Sequence, residues 1–177
     1  MNGEREGLGS QGRCGSCREL IAIMSEQEQL CARLLELSRA EREAILEGRV
    51  DLIEGVTREK AGLIAEMERH EQRRRSIAAE IARELGLADE TSLRSLAAQV
   101  GGPEGEELME IRDRVATAAT RLREANEGNL RLMSRSLDAV RDSLRELRRV
   151  VGVGDGYTPT GRPHMGAAAN VAVDCHA

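Results

Sequence analysis

The sequence predicts an all-α protein: an elongated antiparallel bundle of three long helices and one short helix, with a disordered tail at each end. Apolar residues recur at steps of three and four over most of the chain, which is the period of a helix and not of a strand. The chain has no Trp, no Phe and a single Tyr, and 32% of its residues are charged. Because large aromatic side chains usually supply much of a compact core, this composition favours a thin helical bundle over a globular enzyme.

Bulk charge and hydropathy exclude two classes of partner. A formal net charge of −5 and a pI near 5.4 argue against a nucleic-acid surface. No apolar run approaches the roughly 18 residues of a membrane helix, so no membrane insertion is expected. Residues 1–16 lack the apolar centre of a signal peptide, which predicts a cytoplasmic protein with reduced thiols.

Residues 1–17 are predicted to be a disordered tail because they are rich in glycine and nearly devoid of apolar side chains. A CxxC motif, formed by Cys14 and Cys17, lies at the edge of this tail. It is compatible with a redox pair, or with half a zinc site whose other half would be Cys175 and His176. No second CxxC and no βαβ pattern accompanies it, so we favour two thiols in a flexible tail, with no metal and no cofactor.

The first helix is predicted to run from Arg18 to near Gly48. Its apolar stripe keeps the three-four spacing, and Gly48 suits the left-handed residue that often ends a helix. Cys31 falls on this stripe and is expected to be a small buried hydrophobe. Two polar residues, Gln27 and Glu41, also occupy stripe positions.

The second helix is predicted over residues 52–85, with Asp51 as its N-cap. The short connection favours antiparallel packing on the first helix, although one continuous helix through Gly48 is an alternative. Three charged or ambivalent side chains lie on its stripe: Lys60, His70 and Arg74. They either set the register of the bundle or extend from the edge of the stripe to solvent.

Gly86 is predicted to close the second helix, and residues 89–92 offer a cap for a short helix over residues 93–100. The sequence Gly101-Gly102-Pro103 then breaks that helix and opens the longest one, from about residue 104 to 151. The apolar or small residues of its stripe are Leu108, Ile111, Val115, Ala118, Leu122, Ala125, Asn129, Leu132, Ser136, Val140, Leu144, Leu147 and Val151. Such a helix needs a partner along this stripe.

The predicted helical domain therefore covers residues 18–151, and residues 152–177 are predicted to be a flexible tail rich in glycine. The only tyrosine of the chain, Tyr157, stands in this tail, where an exposed aromatic is a natural anchor for a partner. No phosphate-binding glycine loop and no Ser-His-Asp or Cys-His set is present. The sequence predicts a binding protein without catalytic residues.

Three stretches carry a resemblance to one known family. The first is ILEGRVDLIEGVTREKAGLIAEMERHEQRRR, the second is NEGNLRLM, and the third is Tyr157 followed by Gly161. In the first stretch the matching residues are Gly48, Leu52, Glu59, Lys60, Leu63, Ile64 and Met67. In this order and spacing, over roughly residues 20–161, the stretches resemble the FlgN family of flagellar type III export chaperones. The CxxC-containing N-terminus and the Ala- and Cys-containing C-terminus depart from the family pattern.

The resemblance implies a small all-α cytoplasmic chaperone. It would bind the C-terminal amphipathic segments of hook-filament junction proteins, prevent their premature association and escort them to the flagellar export gate. A client helix would lie along the third long helix. The residues expected to bind it are Asn126, Asn129, Leu130, Met133, Leu137, Val140, Leu144 and Leu147. For the two asparagines, a polar pair that fixes the register of the helices is an alternative role.

The resemblance also assigns Tyr157 to docking at the export gate. Two other interpretations of the whole chain remain open. A self-associating structural coiled-coil protein would use the same stripe, and a homodimer is compatible with it, although the polar seam residues weaken this interpretation. A thiol redox or zinc module would use Cys14 and Cys17.

Overall fold

The computed structural model describes the backbone of residues 3–150 and the side chains of residues 15–150. Over this range the chain is helical apart from short turns, so the predicted all-α class is confirmed. The helices in chain order are α1 (Gly3–Glu47), α2 (Val50–Glu84), α3 (Leu93–Val100) and α4 (Gly102–Val150). Three are long and one is short, as predicted, although α1 begins at Gly3 and not at Arg18. The predicted C-terminal tail, residues 152–177, lies outside the described residues.

Two glycines with a left-handed backbone follow the first two helices. Gly48 has φ +67° and Gly86 has φ +70°, a conformation that side chains with a Cβ rarely adopt. Each stands just past the end of a helix, where the turn back requires this conformation. The alternative of one continuous helix through Gly48 is therefore wrong.

The N-terminal caps follow the prediction at α3 but not at α2. Ser92 Oγ accepts a hydrogen bond from the backbone N–H of Ser95 at 3.1 Å, which satisfies one of the exposed amides of α3. At α2 the N-cap is Arg49, with no side-chain hydrogen bond to the helix. The prediction that Asp51 caps α2 was wrong because the helix begins at Val50, two residues before the predicted start, which places Asp51 inside the first turn. Its carboxylate there still interacts favourably with the positive, N-terminal end of the helix dipole.

The chain divides into two compact units, Met1–Leu130 and Arg131–Ala177. In the first unit α1 and α2 are antiparallel, as the short turn between them requires. Glu41 near the end of α1 pairs with Lys60 near the start of α2, at 2.7 Å, while Glu26 faces His70 further along both helices, at 3.1 Å.

The part of α4 that belongs to the first unit runs parallel to α1. Glu28 of α1 pairs with Arg114 of α4 at 3.1 Å, and Ser38 of α1 meets Asn126 of α4 at 2.8 Å. Residue numbers therefore rise together along both helices. The short α3 and its flanking turns return the chain from the end of α2 to the start of α4.

The core of the first unit is aliphatic. Its main cluster lies at the α3 end and receives side chains from all four helices: Cys17, Leu20, Ile21, Ile23, Met24, Ile77, Ile81, Ala82, Leu96, Ala97, Leu108 and Ile111. A smaller cluster of Leu30, Leu34 and Leu63 continues toward the α1–α2 turn. The stripe predicted for the start of α4 is thus buried, because α1, α2 and α3 cover it.

The backbones of α3 and α4 touch at Gly105. A Cβ added there would lie 2.5 Å from the carbonyl oxygen of Ala97, a backbone atom that no side-chain rotation can move. Gly105 is itself buried in α4. Its lack of a side chain therefore sets how closely the short helix packs on the long one.

We expect Gly105→Ala to lower the free energy of unfolding by about 1–3 kcal/mol, since one of the two backbones must shift to accept the methyl group. Gly62→Ala is the matched control, because Gly62 lies inside α2 and a Cβ added there would meet nothing within 4 Å. That control should gain about 0.5–1 kcal/mol from helix propensity alone. Urea unfolding of both variants measures the difference. A Gly105→Ala variant as stable as Gly62→Ala would contradict the close contact.

Candidate functional site

The second unit carries an exposed apolar stripe along α4. Leu137, Val140, Leu144 and Leu147 are 52%, 56%, 52% and 58% exposed, and Met133 is partly buried. Their three-four spacing places all five on one face of the helix. We call this set the α4 stripe. A contiguous apolar face that stays in contact with water is typical of a surface that binds another protein.

Ion pairs along the rest of the helix surface accompany the α4 stripe. Each joins an acidic residue to the arginine three positions later: Asp138 to Arg141 at 3.5 Å, Asp142 to Arg145 at 2.8 Å, and Glu146 to Arg149 at 2.8 Å. Pairs at this spacing stabilise a helix by roughly 0.2–0.5 kcal/mol each. They support the helical conformation of this segment while its apolar face is exposed.

Asn129 stands at the centre of a polar network in the first unit. Its side chain is 4% exposed, and Nδ2 donates to the carbonyl oxygen of Ser38 at 2.6 Å and to Oε2 of Glu41 at 2.7 Å. Lys60 Nζ donates to the same oxygen of Glu41 at 2.7 Å. The Lys60 and Glu41 side chains are only 13% and 15% exposed. The network therefore joins α1, α2 and α4 through groups that water hardly reaches.

Asn126 belongs to the same network. Its Oδ1 lies 2.8 Å from Ser38 Oγ and 3.3 Å from Lys60 Nζ. Ser38 Oγ is also 2.8 Å from the carbonyl oxygen of Leu34, and its single proton serves one of these two acceptors at a time. The structure thus places both asparagines in contacts between helices of the first unit, the role that the register alternative predicts.

Ser38 was not among the predicted site residues, although it is 1% exposed and contacts the helix that carries both asparagines. The sequence does carry a sign of this contact. Ser38 occupies the stripe position between Leu34 and Glu41, where a small hydroxyl on an apolar face indicates a nearby polar partner.

A groove of about 1000 Å³ lies between α2 and α4 of the first unit. Its floor is formed by side chains of α1, and its walls by side chains of α2 and α4. The apolar residues lining it are Met24, Cys31, Leu34, Ile64, Met67, Leu93, Val115, Ala116, Ala119, Leu122 and Leu130. Leu130, which was predicted to bind a client, is 66% exposed and lines this groove.

Glu71 organises the polar part of the α2 wall. Arg74 donates two hydrogen bonds to it at 2.7 Å, Arg75 donates one at 2.7 Å, and the buried Gln27 donates one from α1 at 3.3 Å. The hydrogen bond from Arg74, opposed by partial burial and helped by Arg75, lowers the pKa of Glu71 to about 2. Glu71 is therefore ionised at neutral pH, and Arg74 finds its partner on its own helix.

The two cysteines with described side chains are both buried. Cys31 is 5% exposed, and burial together with the nearby Glu28 raises the pKa of its thiol, so the prediction of a small buried hydrophobe is confirmed. Cys17 is 2% exposed and packs in the main cluster on α1. Its assignment to a flexible tail was wrong because helix α1 begins before it and presents it to the core.

Other predicted residues fall outside the part of the chain whose side chains are described: Cys14, Tyr157, Cys175 and His176. Among the described residues, no group of three or more His, Cys, Asp or Glu side chains is placed to hold a metal ion. Within the same part of the chain, none of the helices combines the length and the apolar character that crossing a membrane requires.

Helices packed around an aliphatic core, with an apolar stripe left exposed, define a class of small all-α proteins that bind other proteins. The chain belongs to the FlgN family: the model of the FlgN protein family matches residues 16–164, most of the chain. The resemblance found in the sequence is thereby confirmed. FlgN proteins are flagellar export chaperones. Neither a curated protein nor a solved structure matched the chain.

The polar network can be tested at Lys60. We expect Lys60→Met to cost about 1–3 kcal/mol of stability, because the poorly solvated Glu41 carboxylate keeps only Asn129 as a donor. The double variant Lys60→Met, Glu41→Met should recover part of that loss. Arg49→Met is the control, since Arg49 pairs with Asp51 where both side chains are more than half exposed. Chemical unfolding that gave Lys60→Met the same small effect as Arg49→Met would show that the network contributes nothing.

Proposed function

We propose that this FlgN-family protein is a cytoplasmic chaperone for hook-filament junction proteins. It binds their C-terminal amphipathic segments, prevents premature association and escorts them to the flagellar type III export gate. The observation that carries the proposal is the α4 stripe: four large apolar side chains on one helical face, each more than half exposed. Membership of a family of flagellar export chaperones supports it. The protein acts by binding and not by catalysis.

The client helix lies on the α4 stripe in the helix-in-groove mode. The contacting residues are Met133, Leu137, Val140, Leu144 and Leu147. Asn126 and Asn129 contribute indirectly, because their hydrogen bonds to α1 and α2 hold the preceding part of α4 in register. Leu130 contributes to the groove of the first unit.

The apolar contacts of the stripe contribute only a small binding free energy. Full burial of a Leu or Val side chain is worth roughly 1.5–3 kcal/mol. Since the four most exposed side chains are already about half covered, burying the remainder gains on the order of 3–6 kcal/mol in total. Association and ordering cost roughly 4–15 kcal/mol, so the apolar contacts of these four residues do not suffice for tight binding. Weak apolar contacts suit a chaperone that must release its client.

Self-association through the α4 stripe is the competing function, since an exposed face with coiled-coil spacing could pair with a second copy. Sedimentation of the purified protein at several concentrations separates the two. If the protein is a client chaperone, added client peptide should dissociate any dimer. If it is a structural coiled coil, its assembly should persist and the peptide should not bind.

We expect Leu137→Asp to abolish binding of peptides from the C-terminal ends of hook-filament junction proteins, because a carboxylate would be buried at the centre of the contact. Leu46→Asp is the matched control. Leu46 is a leucine of α1 that is 64% exposed and lies outside the stripe, so this variant should bind normally. Titration calorimetry measures the affinity, and circular dichroism shows whether each variant stays helical. Equal binding by both folded variants would place the client elsewhere, and no binding by the wild type would refute the chaperone function.

We propose that Tyr157 docks the loaded chaperone at the export gate, the role that family resemblance implies for this tail tyrosine. Tyr157→Ala should leave the affinity for client peptides unchanged and weaken binding to purified export-gate protein, because the ring is the anchor. Tyr157→Phe is the control that keeps the ring. Equal gate affinity of the wild type and Tyr157→Ala would remove this role.

A further inference from the structure

The residues flanking the α4 stripe carry charge of one sign. In heptad notation Leu137 and Leu144 occupy a positions, and Val140 and Leu147 occupy d positions. The e positions beside this seam are Arg141 and Arg148, and the g positions on the other side are Ser136, Ser143 and Val150. All three acidic residues of the segment, Asp138, Asp142 and Glu146, occupy b, c or f positions, away from the seam.

The segment as a whole is also basic in an acidic protein. Residues 131–150 contain six arginines and three acidic residues, a net charge of +3, whereas the whole chain carries −5. The pairs Asp142–Arg145 and Glu146–Arg149 join residues that all lie away from the seam, while Arg141 at its edge lies 3.5 Å from Asp138. The e edge of the α4 stripe therefore holds two arginines and no acidic residue.

This arrangement disfavours pairing with a second copy of the chain. In an antiparallel pair, e positions face e positions, so arginines would face arginines. In a parallel pair, e positions face g positions, so the arginines would meet serines and gain no ion pair. A partner with acidic residues beside its apolar seam would instead bring a carboxylate to each of the two arginines.

We infer that the α4 stripe selects an acidic amphipathic helix, one that places Glu or Asp beside its apolar seam so as to face Arg141 and Arg148. This inference rests on the proposed function, because it specifies which helices the chaperone surface accepts. Charged pairs at the edge of the seam raise the association rate and exclude partners with basic flanks.

The test uses two synthetic peptides of three heptads with Leu at every a and d position. One carries Glu at all e and g positions and the other carries Lys, and like charges keep each from pairing with itself. We expect the full-length protein to bind the Glu peptide about fivefold more tightly than the Lys peptide, the effect of two exposed ion pairs. The variant Arg141→Glu, Arg148→Glu should reverse this preference.

The matched control is Arg145→Glu, Arg149→Glu, which makes the same change of net charge at b and f positions. It should keep the preference for the Glu peptide, and circular dichroism verifies that both double variants stay helical. Equal affinity of the wild type for the two peptides would overturn the charge selection while leaving the apolar surface intact. If both double variants lost the preference for the Glu peptide to the same extent, the preference would reflect net charge and not the e positions. That result would also overturn the charge selection. Absence of binding by either peptide would overturn the helix-binding surface itself, and with it the proposed function.

Discussion

Within the first unit, the register of α4 against α1 depends on hydrogen bonds from Asn129 in an interior that is otherwise aliphatic. Leucine, isoleucine and alanine repeat along every seam, so a slide by one helical turn would exchange one apolar contact for another at modest cost. The described core contains no aromatic ring whose shape would resist such a slide. A slide of α4 would, however, break both hydrogen bonds of the buried Asn129, at about 1–3 kcal/mol for a buried polar group without a partner. Polar contacts therefore specify the register that apolar packing stabilises.

A single helix serves two purposes in this protein. In the first unit the stripe of α4 faces inward, and Leu108 and Ile111 are buried in the main cluster. In the second unit the same three-four repeat leaves Leu137 and Leu144 half exposed. The repeat is the same in both, and within the described residues the difference is whether another helix covers it. In the proposed function the covered part provides stability and the exposed part provides the binding surface.

Charged residues accompany the exposed part of α4. Acidic residues on the outer face pair with arginines three positions later, which supports the helix without a covering partner. In the proposed binding mode, Arg141 and Arg148 at the edge of the seam bias the choice of partner. In that proposal the apolar area is small enough for client release, and the charges supply discrimination that leucines alone cannot provide.

The sequence by itself determined the features that depend on neighbours along the chain. Helical period, the left-handed ends at Gly48 and Gly86, the Ser92 cap and the composition of the stripe are all local, and the FlgN resemblance follows from the same stretches. Only the tertiary structure decided which stripe positions are covered, because coverage depends on helices distant in sequence. For the same reason, only the tertiary structure placed Cys17 in the core. It also brought together Ser38 and Asn129, which are 91 residues apart in the sequence.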